Sequence, residues 1–183
     1  MRALIALAAL GLAAWGLAAC DAAGDLAGGP GGGDGAGGYS VEIRALQSAQ
    51  TYIVTAPDGR VVAARAAEGA SALLDAAATR ALGVAETASA PDAPEVFALR
   101  FPGVDVSIAA DETSPDSASA RVAINAGGHS VLVNANEGPG DADDHANVRI
   151  TGMSEADVRE FIAKADELSP SVQARMLADL GLE

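Results

Sequence analysis

The sequence predicts an α+β domain, an antiparallel sheet of about eight strands with one internal helix and a C-terminal helical hairpin packed on it. Three observations carry this. Short runs alternate apolar and polar residues, the two-residue period of a half-buried strand, and Gly, Pro and Asp separate them. After Gly83 no helical pattern lies between consecutive strand runs, so short turns must join antiparallel neighbours. From Ser154 onward the period changes to that of two amphipathic helices.

Ser40 to Leu46 alternates, with Val41, Ile43 and Ala45 against Glu42 and Arg44, and reads as a strand. Thr51–Ala56 and Arg60–Arg65 flank Pro57-Asp58-Gly59. Proline presets the turn and glycine accepts positive φ, so the two runs form a hairpin. Glu68 to Leu82 predicts a helix with Leu73, Leu74, Ala77 and Ala81 on one face and Gly83 as its end. A polar loop with Pro91 and Pro94 follows. Phe97, Leu99 and Phe101 alternate up to Pro102-Gly103, and Val104, Val106 and Ile108 alternate after it. Ala120–Asn125 and Ser130–Asn134 turn at Ala126-Gly127-Gly128, and Asn147–Thr151 supplies a last strand.

The carboxyl end carries explicit helix punctuation. Ser154 is an N-cap with Asp157 three residues on, and Met153 and Val158 stand at staple positions. Val158, Phe161, Ile162 and Ala165 form the apolar stripe. Ser169-Pro170 opens the second helix, whose stripe is Val172, Met176, Leu177 and Leu180. Gly181 closes it, and Leu182 folds back onto Leu177.

Composition narrows the function classes. The chain has 183 residues, net charge −14 and a single Cys. Lys and Arg total 11, so the clustered basic surface that nucleic acid requires is not expected. One Cys excludes an intramolecular disulfide framework and a Cys-based zinc site. The apolar fraction is 50%, but 44 of those residues are alanine, which buries little surface, so the core is lean.

Met1-Arg2 gives a short positive start. Ala3 to Ala19 is an uncharged run of Ala, Leu, Ile, Gly and Trp that ends in Leu17-Ala18-Ala19-Cys20. This stretch resembles the signal peptide of bacterial lipoproteins, with its lipobox of Leu, two small residues and Cys. The resemblance covers residues 1–20 and implies that Cys20 is alkylated with diacylglycerol, that the chain is cut after Ala19, and that the new amine is acylated. Acyl chains stabilise membrane association by about 0.8 kcal/mol per buried methylene, so several together anchor a protein. Three segments are therefore expected. They are a signal peptide at 1–19, lipidated Cys20 with a flexible Gly-rich linker to residue 38, and one globular domain at 39–183. The resemblance places the domain in the bacterial cell envelope, facing the periplasm or the cell surface, with the lipid bilayer as its partner through Cys20.

The domain offers few chemical candidates. His129-Ser130 sits in Gly128-His129-Ser130-Val131-Leu132, which begins like a nucleophile elbow but lacks its last Gly. Adjacent strand residues also point to opposite faces, against a direct pair. Asp141, Asp143, Asp144 and His145 form the densest polar cluster. Carboxylates suit a divalent cation, but the EF-hand spacing fails, with Ala146 where glycine belongs and Gly152 where glutamate belongs. Asp111, Glu112 and Asp116 are paired carboxylates with no aromatic nearby to stack a sugar. No Walker loop, dinucleotide fingerprint or Cys-x-x-Cys occurs. The expectation is a tethered, non-enzymatic domain without a cofactor that binds an envelope protein or ligand. The alternatives are cation or small-ligand binding through the 137–146 loop, and a hydrolase with an unrecognised site. The apolar stripes on both terminal helices read as core, and a face there wider than the sheet can cover would mark a partner groove.

Overall fold

The computed structural model describes residues 37–46, 48–84, 95–114, 117–138 and 144–183. Nine strands form one antiparallel sheet: β1 (Tyr39–Leu46), β2 (Ala49–Thr55), β3 (Val61–Ala67), β4 (Ala70–Leu73), β5 (Glu95–Phe101), β6 (Val104–Ser114), β7 (Ser117–Ala126), β8 (His129–Glu137) and β9 (His145–Met153). Among the described residues three helices accompany them: α1 (Ala76–Val84), α2 (Glu155–Ala163) and α3 (Pro170–Leu180). The sheet order is β4-β3-β2-β1-β9-β8-β7-β6-β5. It consists of two meanders, β1–β4 and β5–β9, joined where β1 pairs with β9.

The α+β class and the antiparallel pairing agree with the expectation; the strand count is nine, not eight. The extra strand is β4, which occupies the start of the helix expected over Glu68–Leu82. Glu68 and Gly69 both take positive φ, 52° and 77°, which is the requirement of a tight two-residue hairpin turn. That turn sends Ala70–Leu73 back along β3, with Leu73 opposite Ala64. The helix starts only after Asp75, whose carboxylate accepts from the amides of Ala77 (2.9 Å) and Ala78 (2.8 Å). High alanine content had favoured helix throughout this stretch.

Directly opposed residues in adjacent strands share a face, so the register sorts the side chains. On the front face lie Val41 and Ile43 of β1, Tyr52 and Val54 of β2, and Val62, Ala64 and Ala66 of β3. The α2–α3 hairpin covers them with Val158, Ile162, Ala165, Leu168, Val172, Met176 and Leu180, all buried. Tyr52 and Phe161 meet with ring centroids 6.3 Å apart. On the back face, Ile53 and Ala63 are buried where α1 approaches, and Arg44 Nη1 donates to the Leu82 carbonyl at 3.0 Å.

The hairpin is built as its sequence indicates. Ser154 and Asp157 exchange capping-box hydrogen bonds, and Met153 and Val158 are both buried. Pro170 opens α3; Gly181 closes it at φ 70°, and the Leu182 amide donates to Leu177 O at 2.8 Å. Gln173 Nε2 donates to Ala165 O across the connection, and the Ser169 amide donates to Ser71 Oγ, tying the hairpin to β4.

Candidate binding face

The front face continues past the hairpin without a change of character. One cross-strand row runs Phe97–Ile108–Val122–Val133–Val148–Ile43–Tyr52–Ala64. Its burial is graded. Ala64, Tyr52, Ile43 and Val148 are at most 3% exposed and Val133 is 6% exposed, whereas Ile108 and Val122 are half-buried and Phe97 is 48% exposed. The neighbouring row behaves alike: Val54 and Val41 are fully buried, Ile150, Val131, Ile124 and Val106 are half-buried, and Leu99 is exposed. A third row is alanine across five strands, Ala110–Ala120–Ala135–Ala146–Ala45. None of these positions between β5 and β9 carries a charge. Glu137, whose buried Oε1 has no hydrogen-bond partner among the described residues, bounds the face beyond the alanine row.

Helix geometry explains why the cover stops. Two helices side by side span about 20 Å. Nine strands at about 4.8 Å spacing span roughly 40 Å. The cover therefore extends over β1–β4 and β9 and reaches Val133 of β8; among the described residues no second layer lies on the apolar front of β5–β7. Phe97, Leu99 and Val104 are among the exposed large apolar residues.

The back face is polar. It carries Arg44, Arg65, Arg100, Arg121 and Arg149, with Asn125, Asn134, Asn147 and Thr151 between them. At its centre Glu42 accepts from Arg44 Nε (2.5 Å), Asn147 Nδ2 (2.9 Å) and Arg149 Nη2 (2.7 Å). Burial pushes the Glu42 carboxyl up, but hydrogen bonds from Arg44, Arg149 and Asn147 outweigh it and hold the group below its ordinary value. Every Glu42 oxygen is engaged, so the cluster locks β1 to β9 and presents no free base. Ala98, Arg100, Asp105, Ser107, Ala123 and Asn125 line a shallow, open concavity of about 220 Å³ on this side.

The chemical candidates from the sequence do not converge among the described residues. Cys20, Asp141, Asp143 and Asp116 lie outside those residues. Asp144 Oδ1 accepts from the Gly138 amide at 3.0 Å and so closes its own loop. His145 opens β9 as an exposed residue opposite Leu46 and Asn136. His129 opens β8, exposed, on the front face. Ser130 faces the back, with its hydroxyl 2.7 Å from Thr151 Oγ1, so adjacent positions diverge as strand geometry requires. Among the described residues no group of three or more His, Cys, Asp or Glu is placed to hold a metal ion. No described helix is long and apolar enough to cross a membrane.

The sequence contained the alternation of the uncovered strands but not their lack of cover, because covered and uncovered strands alternate identically. The available signal was helix number: two helices side by side make too narrow a layer for so wide a sheet. No family model matches the chain, no curated protein matches it, and no solved structure matches it.

Proposed function

We propose that this chain is an envelope lipoprotein, anchored by acyl chains on Cys20, whose domain is a non-enzymatic binding module. The observation that carries the binding role is the apolar front of β5–β8, uncharged along its three cross-strand rows and, among the described residues, without a second layer over β5–β7. A binding partner that presents an apolar surface there removes about 25 cal/mol of unfavourable hydration per Å² of apolar area. The acidic charge of the chain disfavours anionic lipid as the occupant. The Gly-rich linker, 19 residues from Cys20 to Gly38, gives a root-mean-square reach of about 25 Å and leaves the domain free to orient.

Side-chain footprinting of the full chain tests the binding role. Phe97, Leu99 and Val106 are expected to label less in intact envelopes than in dilute purified protein, while Asn125 on the back face labels equally. Equal labelling of the front-face residues in both states overturns the proposal. Fractionation tests the anchor. Cys20→Ser is expected to move the chain from the membrane to the soluble fraction and to abolish palmitate incorporation; retention at the membrane refutes lipidation.

A further inference from the structure

We infer that the polar back of β7–β9 is the seat of the chain's own residues 85–94, which cross it from β1 toward β5 and set Asp92 against Arg121. The inference stands on chain connectivity and does not depend on the binding reading above.

The direction of α1 points that way. The chain enters α1 beside β3, where the Leu74 amide donates to Ala63 O at 2.8 Å, and leaves it above β1, where Arg44 Nη1 donates to Leu82 O at 3.0 Å. It therefore runs across the back face toward β9 and the strands beyond it. The chain next enters the sheet at Glu95, the first residue of β5. Arg44 and Glu95 lie on one cross-strand row, Arg44–Asn147–Asn134–Arg121–Ala109–Glu95. Both ends of the connection thus stand at the same level along the strands.

Length favours the direct path. Five strand spacings separate β1 from β5, about 24 Å. The thirteen residue steps from Leu82 to Glu95 reach at most about 45 Å. A route over the front has to round the strand ends and the thickness of the sheet first, roughly 40 Å in all, which leaves almost no slack.

The chemistry of the two faces makes the same choice. Residues 85–94 carry the carboxylates of Glu86 and Asp92 and no apolar side chain larger than proline, so they have little to bury on the apolar front. The row beneath the direct path offers complementary groups. Asn134 Oδ1 is withdrawn from solvent and has no hydrogen-bond partner among the described residues. A buried acceptor needs a donor, and a backbone amide crossing above it supplies one. Arg121, its neighbour in the row, is half-buried and has no carboxylate partner among the described residues. Asp92 precedes Glu95 by three residues, a reach of about 10 Å. β7 lies two strand spacings from β5, also about 10 Å. Asp92 therefore arrives level with Arg121, where a carboxylate and a guanidinium attract.

Disulfide trapping in the full chain tests this. Asp92→Cys is combined with Arg121→Cys, on the back, or with Val122→Cys, on the front; both strand positions are half-buried. The expected result under mild oxidation is a bridge between 92 and 121 and none between 92 and 122, read from the masses of the bridged peptides. A bridge to 122 alone overturns the inference and places the connection over the front, which removes the binding reading as well. Bridges in both pairs, or in neither, overturn the inference and leave the binding reading standing. Proteolysis supplies a second measurement. Arg121→Glu sets like charge against Asp92 and is expected to speed elastase cleavage after Ala88 or Ala90, and adding Asp92→Arg is expected to restore the original rate. A rate that Arg121→Glu leaves unchanged, or an increase that Asp92→Arg does not reverse, overturns the pairing.

Discussion

Glu42 is a buried carboxylate shared by two arginines on adjacent strands, and its pairing makes the domain's stability depend on acid. Its folded pKa lies below the ordinary 4.5, so below that pH the unfolded chain binds more protons at this site than the folded one. The stabilisation is present above pH 4.5 and is lost as pH falls through the depressed folded value. Glu42→Gln keeps the shape and removes the charge. It is expected to cost about 2 kcal/mol at pH 7, since two arginines lose their counter-ion, and to flatten the acid limb of a plot of Tm against pH. Arg149→Ala is expected to cost less, about 0.5–1 kcal/mol, because that side chain is 39% exposed and solvent screens its share. Gly152 is constrained by geometry instead. It sits in β9 at φ 81°, where the register against β1 shifts, and a Cβ there would lie 2.3 Å from Gly128 O. The irregularity lets Met153 point into the core two residues after Thr151 has faced the back. Gly152→Ala is expected to destabilise the fold by about 3 kcal/mol, read by urea denaturation, from left-handed strain together with displacement of the β7–β8 turn.

Elements that carry their own punctuation were legible. The hairpin from Ser154 to Leu182 has a capping box, a proline at the start of its second helix and a closing glycine, and each acts locally. The sheet strands were legible through alternation and through Pro57-Asp58-Gly59 and Gly127-Gly128. The Ala70–Leu73 strand was not, because alanine satisfies the helix pattern and the deciding feature was the backbone of Glu68-Gly69. Asp75, a helix N-cap, was the one local mark of the true helix start. Removing hairpin contacts tests how the helical layer contributes. Ile162 is fully buried between α2 and the sheet, so Ile162→Ala is expected to cost about 3 kcal/mol in denaturant unfolding. Phe97→Ser, at a site 48% exposed, is expected to change monomer stability by under about 1 kcal/mol. The two substitutions separate the strands that form the core from the strand whose apolar residues are exposed.

At the scale of the whole molecule, one sheet serves two purposes along its width. Its β1–β4 and β9 part is closed by helices into a core that reaches Val133 of β8, and β5–β7 extend that core's apolar face outward. Combining Phe97→Ser with Leu99→Ser is therefore expected to leave the fold intact by circular dichroism. The placement of β1 has a mechanical result. The segment that precedes Tyr39 runs directly into a central strand held by seven registered residue pairs to β2 and eight to β9. A pull delivered through that segment along the strand loads both ladders in shear, and hydrogen bonds loaded in parallel fail together instead of peeling one by one. A domain attached at a sheet edge would unzip under the same tension; this one is gripped at its spine.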